Sequence, residues 1–298
     1  MTHNLSTAGK RWLIVGCGYV GTELARQAQA AGDQVYALTR SNARSEELRQ
    51  QNIEPIVGHW LDPDSLRDLP CVDSVLVSVP HRADSSTQQD IAEEEIIGTH
   101  TRGLGNLLQA LPADWRRLVY LSTTGVYGQD SSDPVDEATP VHPTRLGPKM
   151  AVAAEKWLHA QPADERFTVL RLAGIYGPGR IPLANKLRQG EPLAVPLDGH
   201  LNLVHVRDIG RMIHVVAGRA MQLPTYVFSD GQPVLRETFY RRVAELCHVP
   251  EPTFIAADPQ DAKARRATDK RIDPSRLVAE TRFVYQYPDY QSGLAAAL

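Results

Sequence analysis

The sequence predicts an α/β fold, a Rossmann-type doubly wound parallel sheet with a smaller C-terminal substrate lobe. Three observations predict it. Short β-branched runs alternate with amphipathic helical segments, a glycine-rich turn joins the first run to the first helix, and Pro/Gly punctuation replaces the alternation after Leu172. Strand–helix–strand alternation gives right-handed βαβ units in a parallel sheet buried on both faces.

The elements follow in order. Runs suited to strands are Trp12–Val15, Gln34–Leu38, Glu54–Val57, Ser74–Val79, Arg117–Leu121 and Thr168–Leu172. Helical patterns lie between them at Val20–Ala31, Ser45–Gln50, about Thr87 to Leu111, and Lys149–His159. Gly177-Pro178-Gly179, Ile181-Pro182, Glu191-Pro192 and Val195-Pro196 then mark loops around one short helix. A helix from Asp208 to about Ala217, a strand near Tyr226–Phe228, a helix from Leu235 to Cys247 and an amphipathic piece from Tyr287 complete the pattern. The expected partition is a dinucleotide-binding domain of 1–173 and 206–228, with a substrate lobe of 174–205 and 229–298.

Composition limits the partners. The 298 residues are 42% hydrophobic and 22% charged with a net charge of −3, as in a soluble globular protein and without a global field for nucleic acid. Cys17, Cys71 and Cys247 lie far apart with no CxxC, so neither a disulfide framework nor a metal site is expected. No apolar run approaches the ~20 residues that span a bilayer. The segment Met1–Lys10 is polar, so no secretion signal and a cytoplasmic location are expected.

The run Trp12–Val15 opens into Gly16-Cys17-Gly18-Tyr19-Val20-Gly21, a GxGxxG between a strand and a helix. The first glycine makes the tight turn, the second admits a pyrophosphate and the third packs helix on strand, with the helix N-terminus facing the phosphates. Cys17 fills the turn as a small residue; a reactive thiol is the rival reading. An NAD site usually carries an acid at the end of the second strand. Here that end reads Thr39-Arg40-Ser41, and Arg40 suits a 2′-phosphate, so NADP is preferred and NAD is the alternative. Trp60 or His59 after the third strand could stack on adenine or cap the surface, and Val79-Pro80 closes the fourth strand beside the cofactor.

The chain resembles the extended short-chain dehydrogenase/reductase superfamily of NAD-dependent epimerase/dehydratase type. Ser122-Thr123-Thr124-Gly125-Val126-Tyr127-Gly128 looks like its SSxxVYG, Val169 to Arg180 resembles VLRxxxIYGPGR, and Val204-His205-Val206-Arg207-Asp208-Ile209 resembles IHVDDxA. Within it the chain resembles an atypical bacterial branch, the YeeZ-like proteins, which use GxGxxG in place of GxxGxxG. The resemblance implies a Tyr acid/base, a Lys four residues later that lowers its pKa and holds the nicotinamide ribose, and a hydroxyl that orients the substrate. Thr123 matches that hydroxyl, or bonds local backbone as strand-end hydroxyls often do. Ser122 and Ile175 fall among the cofactor positions.

No Tyr occupies the expected place. If Lys149 is the family Lys, the Tyr position is Arg145; if the family Glu aligns with Glu155, the Lys position is Ala151 and the Tyr position Gly147. Arg145 stays protonated and cannot act as a base. Tyr127 and Tyr176 are the low-weight substitutes for proton transfer, although the family uses them chiefly as structural motifs. His205 is a third candidate.

Ligands of open α/β sheets bind beyond the strand ends at the switch in strand order, where cofactor and substrate are expected together. His81, Thr124, Arg180, His205 and Arg207 are the substrate candidates. The basic residues from Lys263 to Arg271 could reach a diphosphate or form a solvated face. The resemblance implies an NAD(P)-dependent oxidoreductase or epimerase for a sugar or nucleotide-sugar-like small molecule, and a homodimer through the helices flanking the fifth strand. The alternative is a non-catalytic NADP(H)-binding sensor.

Overall fold

The computed structural model describes residues 9–82, 92–128, 133–162, 164–197, 199–256 and 269–298. The expected alternation appears as β1 (Arg11–Val15), α1 (Tyr19–Ala30), β2 (Gln34–Thr39), α2 (Asn42–Gln50), β3 (Glu54–Val57) and β4 (Ser74–Val77). The long helix expected from Thr87 is instead α3 (Glu93–Ile97) and α4 (Thr99–Ala110), divided at Gly98. Its proposed start falls outside the described residues. Then come β5 (Arg117–Thr123), a short β6 (Pro134–Val135), α5 (Leu146–His159) and β7 (Phe167–Leu172).

The irregular stretch holds β8 (Gly174–Tyr176), α6 (Ala184–Arg188), β9 (Leu193–Ala194), β10 (His200–Leu201) and β11 (Leu203–His205). The chain continues through α7 (Val206–Ala217), β12 (Thr225–Phe228), β13 (Val234–Leu235), α8 (Arg236–Leu246) and β14 (Phe254–Ile255). It closes with β15 (Arg271–Ile272), α9 (Ser275–Thr281) and α10 (Tyr290–Ala295). Of the basic segment, Lys263, Arg265 and Arg266 lie outside the described residues.

Seven strands form the parallel central sheet in the order β12-β7-β5-β4-β1-β2-β3. Leu13 of β1 sits opposite Tyr36 on one side and Val75 on the other, and Val75 opposes Leu118. Winding runs outward from β1 in both directions, so the crossover of strand order lies between β1 and β4. The β1 and β4 side chains are buried on both faces, which is why their runs are continuously apolar instead of alternating.

Two compact units make up the chain. The first comprises Met1–Ser122, Thr144–Leu170 and Ile209–Pro224; the second comprises Thr123–Pro143, Arg171–Asp208 and Thr225–Leu298. Compared with the expected partition, 123–143, 171–173, 206–208 and 225–228 fall in the second unit. The core of the first gathers Leu13, Val15, Val75, Leu104, Leu107, Leu118 and Leu158. The second packs Phe239, Tyr240, Val243 and Ala244 of α8 with Leu193, Leu203 and Leu294. Each fully buried aliphatic or aromatic side chain contributes about 1.5–3 kcal/mol.

Local chemistry sets the helix ends that matter. α1 buries Val20, Leu24, Ala25 and Ala28, an i, i+4 face, and stops where Gly32 takes φ +85°. α5 starts three residues before the expected Lys149, with Pro148 in its first turn where a missing N–H costs nothing. Arg145 precedes that helix in extended conformation.

Candidate functional site

The glycine turn is built by β1, α1 and the end of β4. Gly16 has φ +92°, and a Cβ there would lie 2.8 Å from the Ser78 carbonyl carbon. Ser78 ties the turn to β4: its N–H donates to Val15 O (2.9 Å) and its hydroxyl to Gly16 O (2.6 Å). A Cβ at Gly21 would press on Ile14 Cγ2 at 2.9 Å, so α1 approaches β1 closely. A Cβ at Gly18 would meet nothing within 4 Å, and Gly18 caps α1 with no side-chain acceptor for its first N–H groups. The turn therefore has two glycines filled by protein and one open face. Tyr19 and Val20 begin the helix, and burial pushes the Cys17 thiol pKa up, which suits the filler role over a reactive thiolate.

At the end of β2, Thr39 is buried, Arg40 and Ser41 are exposed, and Ser41 caps α2 by accepting from Arg44 N (3.2 Å). Arg44 is a second cation that the sequence reading passed over. Its guanidinium donates to Cys17 O (3.0 Å) and Thr22 Oγ1 (3.5 Å) and pairs with Glu47 at 2.5 Å. Trp60 is buried in the core with its ring edge-on to His100, and a Cβ at Gly103 would strike the indole. That burial corrects the idea of Trp60 as an open stacking platform; Gly103 leaves the space it fills. His59 Nδ1 accepts from Leu61 N (3.3 Å).

The end of β4 continues through Val79 and the exposed Pro80 to His81. His81 Nε2 lies 2.7 Å from the Tyr120 hydroxyl, and His100 Nδ1 lies 2.9 Å from the same oxygen. The two imidazoles stack at 4.5 Å, and His100 Nε2 reaches Pro80 O at 3.3 Å. Burial, with His100 beside it, pushes His81 down to about 3; burial pushes His100 down to about 4 and Tyr120 well up. All three groups are neutral at pH 7.

α5 passes this cluster. A Cβ at Gly147 would lie 2.6 Å from His81 O, Ala151 is fully buried, and buried Glu155 accepts from the Ser122 hydroxyl. Lys149 projects elsewhere, pairing with Glu93 at 2.6 Å with both side chains substantially exposed.

The second unit holds the remaining predicted residues. Thr123 Oγ1 accepts from Gly125 N (3.0 Å), capping the single turn that contains buried Thr124. Tyr127 is fully buried; its hydroxyl donates to Asp136 O (2.7 Å) and accepts from Arg171 (2.7 Å), while Lys270 holds its carbonyl. Tyr176 is also fully buried, with its hydroxyl on Asp289 O (3.3 Å), and burial raises its pKa strongly. Neither tyrosine offers a free hydroxyl for proton transfer, which corrects the expectation that they stand in for the family's tyrosine. His205 is buried between the Tyr176 and Tyr287 rings and its Nδ1 accepts from Arg207 N (3.2 Å). Arg207 donates to the Tyr287 hydroxyl (2.8 Å), Ile175 is half-buried, and Arg180 is exposed while its backbone pairs with Gly177.

The model of the NAD dependent epimerase/dehydratase family matches residues 12–227, which spans the glycine turn, both flanking strands and α5. The chain belongs to that family. It is similar to the Escherichia coli protein YeeZ, with 29% identity over 296 residues, covering 94% of this chain and 97% of the relative. A structure of a functionally unknown conserved protein from Silicibacter pomeroyi is 28% identical with a TM-score of 0.76, covering 97% of this chain and 98% of that one. UDP-glucose 4-epimerase from Thermotoga maritima, solved with UDP-glucose, shares the fold at a TM-score of 0.79 and 16% identity, covering 96% and 97%.

The cofactor of the family is a nicotinamide dinucleotide. The turn fits it: Gly18 leaves open space at the start of α1, where no side chain caps the helix and the helix dipole favours phosphate. Among the described residues, no group of three or more His, Cys, Asp or Glu is placed to hold a metal ion, and no helix is long and apolar enough to cross a membrane. Sequence reasoning missed Ser78, Arg44, His100 and Tyr120. Ser78 carried a signal, a lone hydroxyl inside the apolar run Val77–Val79; Arg44 gains its role where α2 meets the glycine turn, and His100 and Tyr120 only once α4 and β5 are brought together.

Proposed function

We propose that the protein is an NADP-preferring oxidoreductase or epimerase of a sugar or nucleotide-sugar-like substrate that works without the family's tyrosine. The open face of Gly18 beside the acid-free end of β2 carries this reading. Gly16, Cys17, Gly18, Tyr19, Val20 and Gly21 would hold the pyrophosphate, and Thr39, Arg40, Ser41 with Arg44 the 2′-phosphate. Val79, Pro80 and Ser122 would line the nicotinamide half. Thr123, Thr124, Arg180, His205 and Arg207 are the candidates for handling substrate. The bound nicotinamide would supply the hydride acceptor or donor, and the chain must supply the proton.

The Glu155 register is favoured by the buried Ser122–Glu155 bond, and it leaves Gly147 and Ala151 where the family has Tyr and Lys. That same observation favours the second reading, a sensor that binds NADP(H) without turnover. We further propose a cytoplasmic homodimer through α4 and α5; a groove there is lined by Thr101, Arg102, Gly105 and Asn106 of α4, Trp157 of α5, and Leu61 and Pro63.

Calorimetric titration with NADPH and NADH tests the cofactor. NADPH is expected to bind more tightly, with Arg40→Ala and Arg44→Ala each narrowing the difference; NADH binding as tightly as NADPH would sink it. A panel of nucleotide sugars with NADP+, read by cofactor absorbance and by product epimer, separates enzyme from sensor.

A further inference from the structure

We propose that His81 is the proton-exchanging residue of the first unit, and that Tyr120 and His100 are its positioning residues. The proposal rests on the reading of the chain as a nicotinamide-dependent enzyme acting on a secondary alcohol of a sugar-like substrate.

The first argument is place. Ligands of open α/β sheets gather at the switch in strand order, here between β1 and β4. Ser78 is bonded to the glycine turn, and His81 follows three residues later. The backbone that Gly147 presses on is that of His81 itself. The helix position that one register assigns to the family's tyrosine thus carries no side chain, and an imidazole is the titratable group rooted beside it.

The second argument is the proton pattern, which follows from donor and acceptor capacity. Pro80 O can only accept, so His100 carries its proton on Nε2. Neutral His100 then has a bare Nδ1, which takes the Tyr120 O–H. The Tyr120 oxygen in turn accepts from His81 Nε2–H. Neutral His81 is left with a bare Nδ1, for which no hydrogen bond exists among the described residues and which is not one of the sealed, unmatched polar atoms. The cluster thus locks one tautomer and turns one basic nitrogen outward.

Oxidation of the substrate alcohol breaks its O–H bond and forms N–H at His81 Nδ1. The Nε2 proton shifts to the Tyr120 oxygen, and the phenolic proton to His100 Nδ1. The positive charge ends on His100, whose Nε2–H stays on Pro80 O. The hydride from the same carbon leaves to the oxidised nicotinamide cofactor. A buried imidazolium is costly to hold. That cost suits a reaction that returns the proton within one turnover, as redox epimerisation of a sugar carbon does.

Diethyl pyrocarbonate labelling of the full chain at pH 7, read by peptide mass spectrometry, tests the arrangement, with NADPH binding followed in the same samples by tryptophan fluorescence. His81 should be labelled in the free protein and lose its label when NADPH binds, and His100 should stay unlabelled. Nitrogen-15 NMR should find both histidines as Nε2–H tautomers, with Tyr120→Phe giving His81 a mixture. In turnover of the nucleotide sugar found in the panel, His81→Gln should lower kcat by about 10²-fold or more, a general-acid/base loss, with NADPH affinity retained. NADPH binding without protection of His81, an Nδ1–H tautomer, or full turnover by His81→Gln would overturn the proposal alone. No NADPH binding, or no turnover of any sugar, would overturn the enzyme reading and the proposal with it.

Discussion

Two buried polar clusters, one in each compact unit, are satisfied in opposite ways. In the first, His81, Tyr120 and His100 form a closed chain that ends on a backbone carbonyl, with each hydrogen bond between them paired donor to acceptor. In the second, Asp208, Asp230 and Asp289 act together on Tyr176. Asp208 is fully buried but accepts from Gln286 N and Tyr287 N, both at 2.8 Å. Asp230 accepts from Gln232 N (2.9 Å) through one oxygen, and its other oxygen is buried without a partner. Burial, then Asp289 and Asp208, pushes Asp230 up to about 7. A matched neutral cluster costs little and fixes geometry, whereas an unmatched carboxyl stores a penalty. The first unit should therefore suffer when a partner is removed, and the second should gain when its charge is.

The largest effect expected is that of Tyr120→Phe. It strands the two imidazole nitrogens inside the first unit, at ~1–3 kcal/mol for each unsatisfied group, so a loss of about 2–4 kcal/mol is expected. Urea unfolding at pH 7 with an unchanged m-value measures it. A loss under ~1 kcal/mol would break the comparison, because the cluster would not depend on its central hydroxyl.

Acid should find the same cluster. The folded pKa of His100 is about 4, below its ordinary 6.5, so the unfolded chain takes up the proton first. Its contribution is fully present above pH 6.5 and is lost as pH falls from there through about 4, at ~1.4 kcal/mol per pH unit. His81 adds to the same slope in the same direction. Unfolding free energy followed from pH 7 to 4.5 should show the slope, and His100→Gln should remove one proton from it.

Asp230 has the opposite sign. Its raised folded pKa means that stability is fully present below the ordinary carboxylate range and is lost as pH rises through about 7. Asp230→Asn keeps an oxygen for Gln232 N and removes the charge, so it should stabilise by about 1–2 kcal/mol at pH 8, and less as pH falls towards 4. A destabilised Asp230→Asn at pH 8 would show that the carboxylate has a partner that matters, and the contrast between the units would fail.

How far the sequence carries follows the same division between local and distant causes. β1 and β2 agree with their apolar runs to within a residue, because buried parallel strands impose that pattern directly, and the edge strand β3 also keeps its expected bounds. The glycine turn is also legible, since φ at Gly16 and the contact at Gly21 belong to one short segment. Trp60 misled because an aromatic after a strand looks the same whether it faces a ligand or a neighbouring helix glycine. The His81–Tyr120–His100 chain could not be read, since its members lie on a loop, a strand and a helix that only the fold unites. The same holds for Ser122 with Glu155, which are separated by 33 residues.

The smallest effect expected is that of Lys149→Ala, and it bears on where the family's positions fall. Lys149 pairs with Glu93 while its side chain is 38% exposed and that of Glu93 is 55% exposed. Such surface pairs are worth ~0–1 kcal/mol, so the variant should unfold within about 0.5 kcal/mol of the wild type. If Lys149 also held a nicotinamide ribose, its loss would weaken NADPH binding well beyond that small structural effect. The Glu155 register places the corresponding position at buried Ala151 and predicts unchanged NADPH affinity. A clear loss of affinity in Lys149→Ala would return the register to Lys149, move the empty tyrosine position from Gly147 to Arg145, and remove the reason that His81 lies beside it.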